Sequence, residues 1–389
     1  MSPVEVYQQI QTMLAHDLAT EISKRTLKRL TLLVCGILKA QQSAPSQIAE
    51  AVAGLGVGSA SVESIERRIR RSENDPAICA HRCYAPLIRA LLQRSGLSEL
   101  LLILDPTTQA DHVVMVSVNA WYRGRSIPLA WTIWPGNVPL EGARLWKRIQ
   151  SLLVEVQSLL PPHLQVTLLA DRAFGSPVFT DLVEALGWHW VVRIQDQTIC
   201  RDRRGREQSV VSLVKQPGQR RKMRGAAFKK AGWRPASLVV YWGKRHRKPL
   251  CLASDLPPRW ELIHLYRRRY PIESTFRDYK SYGWHWEQGQ VRCLEHLQRL
   301  LVAMALATCL ALLLGASFAA QLLATPSKGT RHTRPWFAKR SLFRLGLLAW
   351  MNFFAGRPSP PLPQAFPDWQ APNWSAQLLR HHGRAFIFA

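Results

Sequence analysis

Short apolar runs, each closed by a polar residue, recur in the middle of the chain. The clearest are LLLILD at 100–105 and VTLLAD at 166–171. Runs of Leu, Ile and Val of this length are typical of buried strands. Two longer runs, VVMVSVNAWYRG and RSIPLAWTIW, follow the first, and the Arg123-Gly124-Arg125 junction between them suits a hairpin turn. The pattern therefore predicts three consecutive strands and a separate later one.

A helical period follows these strands. The segment GARLWKRIQSLLVEVQSLL has the spacing of a helix and is ended by Pro161 and Pro162. A second helix is predicted from about Pro177 to Leu186, and Gly187 precedes the strand-like run WHWVVRI. Three strands, a helix, a strand, a helix and a strand describe an α/β fold built on a mixed sheet.

Two of the predicted strands end in a carboxylate, Asp105 in the first and Asp171 in the fourth. An aspartate at such a position is often a turn residue or a helix cap, because its short side chain bonds to nearby backbone groups. Neither aspartate alone indicates catalysis. Their order along the chain, ahead of a third acid, makes both candidates.

The third acid, Glu273, lies in the segment LYRRRYPIESTFRDYKSYG with Tyr266, Arg269 and Lys280. On a helix of about 100° per residue, their offsets of 3, 7 and 14 positions place all four in a sector about 60° wide. A ring, two cations and an acid on one face suit the grip of a phosphodiester beside a metal ion. The alternative is a solvated charged face, and the two upstream aspartates favour the functional interpretation.

Pro271 interrupts this segment. An interior proline removes a helix hydrogen bond and kinks the axis, whereas a proline at the first position opens a new helix. In both cases Glu273 and Lys280, seven positions apart, share a face. The alignment of Tyr266 and Arg269 with them depends on which alternative holds.

The spacing Tyr-x2-Arg-x3-Glu-x6-Lys resembles the signature of insertion sequence four family transposases. The segments LDPTT and ADRAFGSP resemble that family's first and second aspartate motifs. The resemblance implies an RNase H-like core in which Asp105, Asp171 and Glu273 are the catalytic and metal-binding acids. It also implies that Tyr266, Arg269 and Lys280 hold the DNA strand, that the protein acts as a homodimer on double-stranded DNA, and that this DNA includes transposon ends and a target.

The residue types agree with that chemistry. Three carboxylates brought together repel each other unless a cation neutralises them. Oxygen ligands select Mg²⁺ or Mn²⁺ rather than zinc, and two such ions about 4 Å apart can promote an in-line displacement. We therefore expect a DNA transposase, a nuclease and strand transferase with two Mg²⁺ or Mn²⁺ ions. The alternatives are a catalytically inactive relative that recognises terminal inverted repeats and a membrane-associated basic protein.

Charge favours a nucleic-acid partner. Lys and Arg number 52 against 26 for Asp and Glu, which gives a net charge of +26. Sixteen of the basic residues lie between Arg201 and Lys248, where only Asp202 and Glu207 oppose them. A field of this sign attracts polyanions, although RNA or an anionic membrane would also satisfy it.

The basic stretch falls in the gap of 102 positions between Asp171 and Glu273, which is long for a plain α/β crossover. A β-rich insertion is predicted there, ending in ASLVVYWGKRHRKPLCLASDL, which has the pattern of two strands about a basic turn. The resemblance implies that the insertion binds the transposon end. Trp242 is a candidate for stacking on a base, with Trp233 and Trp260 beside it, and core packing is the alternative.

The first hundred residues are predicted to be helical. In SAPSQIAEAVAGLGVGSASVESIERRIRRS a short helix, a Gly-rich turn and a basic helix resemble a helix-turn-helix. Arg67, Arg68, Arg70 and Arg71 on the second helix are its candidate DNA-binding residues. An ordinary bundle with a solvated basic face is the alternative.

The stretch from Leu300 to Ser327 carries no charge and is long enough to span a bilayer. Ala, Thr, Ser, Gly and Cys dilute its leucines, and it follows directly on the signature. We therefore predict a buried core helix and no membrane partner. Seven scattered cysteines are consistent with reduced thiols in a cytosolic protein. The family resemblance implies a prokaryotic cytoplasm, with association with the nucleoid when the protein is bound to DNA.

These segments give a predicted division of the chain: 1–98 is a helical DNA-binding domain, 99–194 and 256–325 are the two parts of the RNase H-like core, 195–255 is the basic insertion, and 326–389 is a C-terminal helix with a Pro-rich tail.

Overall fold

The structure is a computed structural model that describes residues 2–109, 112–289, 291, 293–324, 337, 340–367 and 369. The N-terminal region is helical, as predicted. Its helices are α1 (Pro3–Leu18), α2 (Lys24–Ala40), α3 (Pro45–Ala53), α4 (Val62–Glu73), α5 (Ala80–Cys83) and α6 (Ala85–Arg94). The predicted helix-turn-helix segment corresponds to α3 and α4.

One mixed sheet forms the centre of the molecule. Its strands are β1 (Glu99–Gln109), β2 (Val113–Tyr122), β3 (Arg125–Pro135), β4 (Gln165–Ala170), β5 (His189–Arg193), β6 (Ile199–Asp202), β7 (Glu207–Ser209), β8 (Arg220–Ala227), β9 (Arg234–Tyr241) and β10 (Leu250–Ser254). They lie in the order β3-β2-β1-β4-β5-β10-β9-β8-β6-β7. β1 is antiparallel to β2 and parallel to β4, which is parallel to β5. The predicted α/β class, built on a mixed sheet, is confirmed.

A two-residue turn joins β2 to β3 at the predicted position. Arg123 and Gly124 both have positive φ, 49° and 84°. Turns with positive φ at both central residues match the right-handed twist of the strands that they connect. The hairpin predicted from the Arg-Gly-Arg junction is thus confirmed.

The basic stretch after β5 is rich in strands, as expected, and these strands extend the core sheet. β10 pairs with β5, and β9 pairs with both β10 and β8. The chain therefore carries the sheet from the core into the insertion without a break. The division of the chain into domains stays a prediction.

Helices cover both faces of this sheet. α7 (Gly142–Leu159) and α8 (Pro177–Glu184), both predicted, pack on one face. α9 (Glu261–Arg267) lies on the other, where Leu262, Ile263 and Tyr266 pack against Leu169 of β4 and Val191 of β5. Side chains alternate between faces along a strand, so the neighbours of these two strand residues face α7 and α8.

Pro271 opens a new helix, which decides between the two alternatives in the sequence. α9 ends at Arg267, α10 runs from Pro271 to Arg277, and a π-helical turn covers Asp278–Tyr282. Proline suits the first turn of a helix because its missing N–H would have no partner there. Tyr266, Glu273 and Lys280 therefore lie on three successive segments rather than on one continuous helix.

The uncharged stretch lies in α11 (Leu294–Ala324), in which every residue from Leu300 to Ala316 is buried. In the described ranges it is the one helix long and apolar enough to cross a membrane, and it packs against α2, α4, β3 and α12 (Leu342–Phe354). Gly346 lets α12 approach closely, since a Cβ there would lie 1.7 Å from the Ala311 carbonyl oxygen. The predicted helix is confirmed as far as Ala324 and is fully buried from Leu300 to Ala316, while Ala320, Gln321 and Ala324 are exposed. Residues 325–327 lie outside the described ranges.

Part of the Pro-rich segment is a packed strap. Phe366 and Trp369 contact the ring of Tyr122 at centroid distances of 4.8 and 5.2 Å. The Tyr122 hydroxyl donates to the carbonyl oxygen of Pro367 at 2.7 Å. These contacts fix the strap on the β2–β3 hairpin. The expectations for residues beyond 369 fall outside the described chain.

Candidate active site

Asp105 and Asp171 lie side by side on neighbouring parallel strands. The parallel pairing of β1 with β4 ends with Leu104 opposite Ala170, so each aspartate is the next residue of its chain. β1 itself continues to Gln109 and pairs Asp105 with Ser117 of β2. The expectation of an acid at a strand tip is therefore correct for Asp171 and wrong for Asp105, whose strand continues because β2 provides a partner.

Arg269 links Asp105 to Glu273. Its Nη1 donates to Asp105 Oδ2 at 2.7 Å, and its Nη2 donates to Glu273 Oε1 at 2.7 Å. Arg269 and Asp105 are both buried, whereas the Glu273 side chain is half exposed. Arg269 lies in the short connection between α9 and α10, so the new helix at Pro271 brings Glu273 one turn beyond it.

Tyr266 extends the same set of contacts to Asp171. Its hydroxyl donates to Asp171 Oδ1 at 3.2 Å, and its ring is almost fully buried. Arg193 Nη1, at the end of β5, lies 4.0 Å from the same carboxylate oxygen. The sequence interpretation did not include Arg193, because nothing in the WHWVVRI run marks its arginine. Its role depends on β5 lying beside β4.

Burial dominates the electrostatics of these acids. It raises the pKa of Asp105 to about 6; the Arg269 guanidinium opposes this rise, and the carboxylates of Asp171 and Glu273 add to it. Burial likewise raises the pKa of Tyr266 far above its ordinary value, so its hydroxyl is a donor at neutral pH. For Arg269, burial disfavours the charge, but Asp105 and its other neighbours outweigh that cost and raise the pKa.

The donor chemistry fits a hard divalent cation, since all three acids offer carboxylate oxygens. Within the described residues, however, no three His, Cys, Asp or Glu side chains are close enough together to hold an ion. Arg269 supplies the positive charge between Asp105 and Glu273, and its buried Nε has no hydrogen-bond partner. A metal ion shared by these acids therefore requires Arg269 to release at least one of them.

Lys280 stands apart from the acids. It lies on the π-helical turn, and its Nζ is 3.9 Å from Glu287 Oε1. Its side chain is about one-quarter exposed, at 24%. The structure thus brings Tyr266, Arg269 and Glu273 into one set of contacts, and it places Lys280 against a different carboxylate.

The other candidate DNA-binding residues lie outside this site. On α4 the four arginines at 67, 68, 70 and 71 are exposed, while Ile65 and Ile69 are buried. Arg70 pairs with Glu66 at 2.7 Å. Trp242 is partly buried, and its Nε1 donates to the carbonyl oxygen of His246 at 2.9 Å, which fixes the indole at the basic turn between β9 and β10.

The chain is similar to one known protein family over part of its length. Residues 150–310 match the family model described as the transposase DDE domain. The predicted resemblance to DDE transposases is confirmed, and the matched segment contains Asp171 and Glu273. Asp105 precedes the matched segment. No curated protein matches the chain significantly.

Three solved structures are similar to the chain at low identity. A piggyBac transposase synaptic complex with hairpin DNA is 12% identical, with a TM-score of 0.40, and the match covers 84% of this chain and 82% of that one. Human ENDOV is 16% identical, with a TM-score of 0.26 and coverage of 57% and 100%. Kluyveromyces polysporus Argonaute with a guide RNA is 10% identical, with a TM-score of 0.22 and coverage of 58% and 33%. Because these TM-scores are low, no functional assignment rests on them.

Proposed function

We propose that the protein is a metal-dependent DNA transposase that cuts transposon ends and joins them to target DNA. The observation that supports this most is the meeting of Asp105 and Asp171 on adjacent parallel strands, with Glu273 joined to Asp105 through Arg269. The family match and the net charge of +26 support a DNA substrate.

In this proposal Asp105, Asp171 and Glu273 hold two Mg²⁺ or Mn²⁺ ions. When bound, such ions activate the attacking oxygen and stabilise the leaving oxygen in an in-line displacement at phosphorus. The half-exposed Glu273 is open to solvent, while Asp105 and its partner Arg269 are buried. The burial of Asp105 keeps water from one side of the site, which strengthens its attraction for a cation.

Arg269 has two tasks in this proposal. It neutralises Asp105 and Glu273 in the absence of other cations, and its planar fork suits bidentate contact with a phosphate once one carboxylate is released. Tyr266 orients Asp171 through its hydroxyl and supports the DNA strand only indirectly, because its ring is buried. Lys280 would reach the strand as a point charge from the next segment.

The remaining proposals concern the other parts of the chain. The exposed arginines of α4 would contact transposon-end DNA, with Trp242 and the basic insertion as a second contact. We propose a homodimer on DNA in the cytoplasm of a prokaryote. The buried position of α11 supports a protein that acts away from membranes.

DNA cleavage tests this function. The substrate is a plasmid that carries this gene with its natural flanking sequence, incubated with the purified chain and Mg²⁺ or Mn²⁺. We expect double-strand cuts at the element boundaries, abolished by chelation. Asp171→Asn and Glu273→Gln should each reduce the rate by more than about 100-fold, because even residues that only orient metal ligands cost 10–100-fold.

Asp181→Asn is the matched control, since Asp181 is an exposed aspartate that pairs with Arg234 away from the site. It should cut at the normal rate. If the chain binds the flanking DNA specifically but never cuts it with either metal, the catalytically inactive relative is the correct account.

A further inference from the structure

Four cations on the α9 side of the sheet are held against aromatic rings. Arg220 and Lys222 lie over the ring of Trp260 at 4.6 and 5.3 Å. Arg267 lies over Tyr241 at 5.7 Å, and Arg268 lies over Trp121 at 4.8 Å. All four cations are exposed, and the three rings are partly buried. This set differs from the arginines of α4.

These residues share one face of the molecule. In the antiparallel pair β8–β9, Arg220 is opposite Tyr241 and Lys222 is opposite Val239. Directly opposed residues point to the same side of a sheet, and Val239 packs under α9. At the other end of α9, Arg268 and Trp121 line the same groove. The cations thus flank α9 from the insertion to the β2–β3 hairpin, on the face that carries Asp105 and Asp171.

The charges on this face are available to an anion. None of the four cations forms an ion pair with a carboxylate in the described part of the chain. Stacking on a ring limits the conformations of a long side chain, so less entropy is lost when a ligand binds. Each ring already has a cation over one of its surfaces, so the rings are poorly placed to stack on a base. The cations therefore suit contact with phosphates.

We propose that Arg220, Lys222, Arg267 and Arg268 form a phosphate-contacting track for a DNA segment that is bound regardless of its sequence. The inference rests on the proposed function and adds to it a DNA surface that is separate from the arginines of α4 and joins part of the basic insertion to α9. Contacts to phosphates position a duplex but carry no sequence information. The track therefore suits DNA beyond the recognised ends, including the target.

Salt dependence of binding tests the track. The full-length chain, without divalent metal, is titrated into a labelled duplex of arbitrary sequence and into one that carries the gene's flanking sequence. Each phosphate contact contributes about 0.9 to the slope of log affinity against log salt. Two double variants test the track: Arg267→Gln with Arg268→Gln, and Arg220→Gln with Lys222→Gln. Each should reduce the magnitude of this negative slope by about 2 on both duplexes.

Arg144→Gln with Lys147→Gln is the matched control, because both residues are exposed on α7, across the sheet from the track. It removes the same charge and should leave the slope nearly unchanged. The proposal would be overturned if the control and the track variants reduced the salt slope equally. It would also be overturned if the track variants reduced the slope on only one of the two duplexes. Loss of binding to phosphatidylserine vesicles with unchanged DNA binding would also overturn it and indicate a membrane surface.

The two proposals fail separately. If cleavage of the plasmid is normal and the track variants keep the wild-type salt slope, the track is wrong and the transposase remains. If no condition gives cleavage but the slopes fall as expected, the track remains and the catalytic proposal is wrong.

Discussion

At the scale of single residues, Arg269 is the side chain on which the site depends. It is the charged partner of a buried aspartate, and removal of one member of a buried pair leaves an uncompensated charge. We expect Arg269→Gln to abolish cleavage and to lower the free energy of unfolding by about 3 kcal/mol at pH 8. Urea unfolding measures the second effect.

The size of that loss should depend on pH. Without Arg269, Asp105 loses the charge that opposes the rise of its pKa, so the carboxyl should remain neutral to a higher pH than about 6. At pH 5 Asp105 is largely protonated in both proteins, and the difference in stability should shrink. The double variant Arg269→Gln/Asp105→Asn should recover most of the stability at pH 8; if it does not, the cost arises from packing rather than charge.

Glu73, the last residue of α4, offers a prediction independent of catalysis. Burial raises its pKa to about 7, Arg70 opposes the rise, and its Oε1 has no hydrogen-bond partner. A carboxyl whose folded pKa exceeds its unfolded pKa destabilises the fold as pH rises between the two values, here from about 4.5 to about 7. Glu73→Gln should therefore raise stability at pH 8, by up to about 3 kcal/mol, and have little effect at pH 4.

Thermal unfolding at the two pH values measures this difference. Glu66→Gln on the same helix is the control, because Glu66 pairs with Arg70 at the surface. An equal stabilisation at both pH values would show that the pKa of Glu73 is not raised in the folded protein.

At the scale of elements, α10 is fixed to the β2–β3 hairpin by a buried chain of hydrogen bonds. Thr275 Oγ1 lies 2.8 Å from Ser126 Oγ, which accepts from Asn119 Nδ2 at 3.0 Å. Asp278 forms a buried ion pair with Arg125 just beyond α10. Because Glu273 lies two residues before Thr275, these bonds also position the third acid.

Thr275→Val keeps the shape of the side chain and removes the hydroxyl. We expect a loss of about 1–3 kcal/mol in stability, since buried polar partners are left unsatisfied. The concentration of Mn²⁺ for half-maximal cleavage should also rise, because Glu273 is held less firmly. Thr275→Ser, which keeps the hydroxyl, should need the same Mn²⁺ concentration as the wild-type protein. If Thr275→Val also needs no more Mn²⁺ than the wild type, α10 is positioned by other contacts.

Much of the element order follows from the sequence, because apolar periodicity reports burial directly. The hairpin at Arg123-Gly124, helices α7 and α8, and the buried helix α11 are all predicted in place. The break at Pro271 is left open by sequence, since proline permits both a kink and a helix start. The continuation of β1 past Asp105 depends on its pairing with β2, which local pattern does not contain.

At the scale of the whole molecule, the sheet explains how distant residues meet. Asp105, Asp171 and Glu273 are far apart in the chain, yet parallel pairing of β1 with β4 brings two of them together. The sequence predicts which acids belong to the site, because their order and spacing resemble a known signature. It does not predict that Arg269 lies between two of them or that Arg193 approaches Asp171, since both contacts depend on the placement of β5 and α10.

In the same sheet, the strands of the basic insertion lie towards one edge, and the strands that carry Asp105 and Asp171 lie nearer the centre. A net charge of +26 draws DNA to the molecule as a whole, and the acids form a small negative region within that field. Arg269 and Arg193 offset part of this negative charge, and a cation that binds the carboxylates would remove the remaining repulsion between this region and a phosphate. The account therefore depends on divalent cations entering the site.

Anomalous diffraction from crystals soaked in Mn²⁺ tests that claim most directly. We expect manganese peaks within about 2.2 Å of carboxylate oxygens from Asp105, Asp171 and Glu273, with Arg269 moved off at least one carboxylate. Absence of manganese from these acids at a concentration that supports cleavage, with Arg269 still bridging Asp105 and Glu273, would contradict the account.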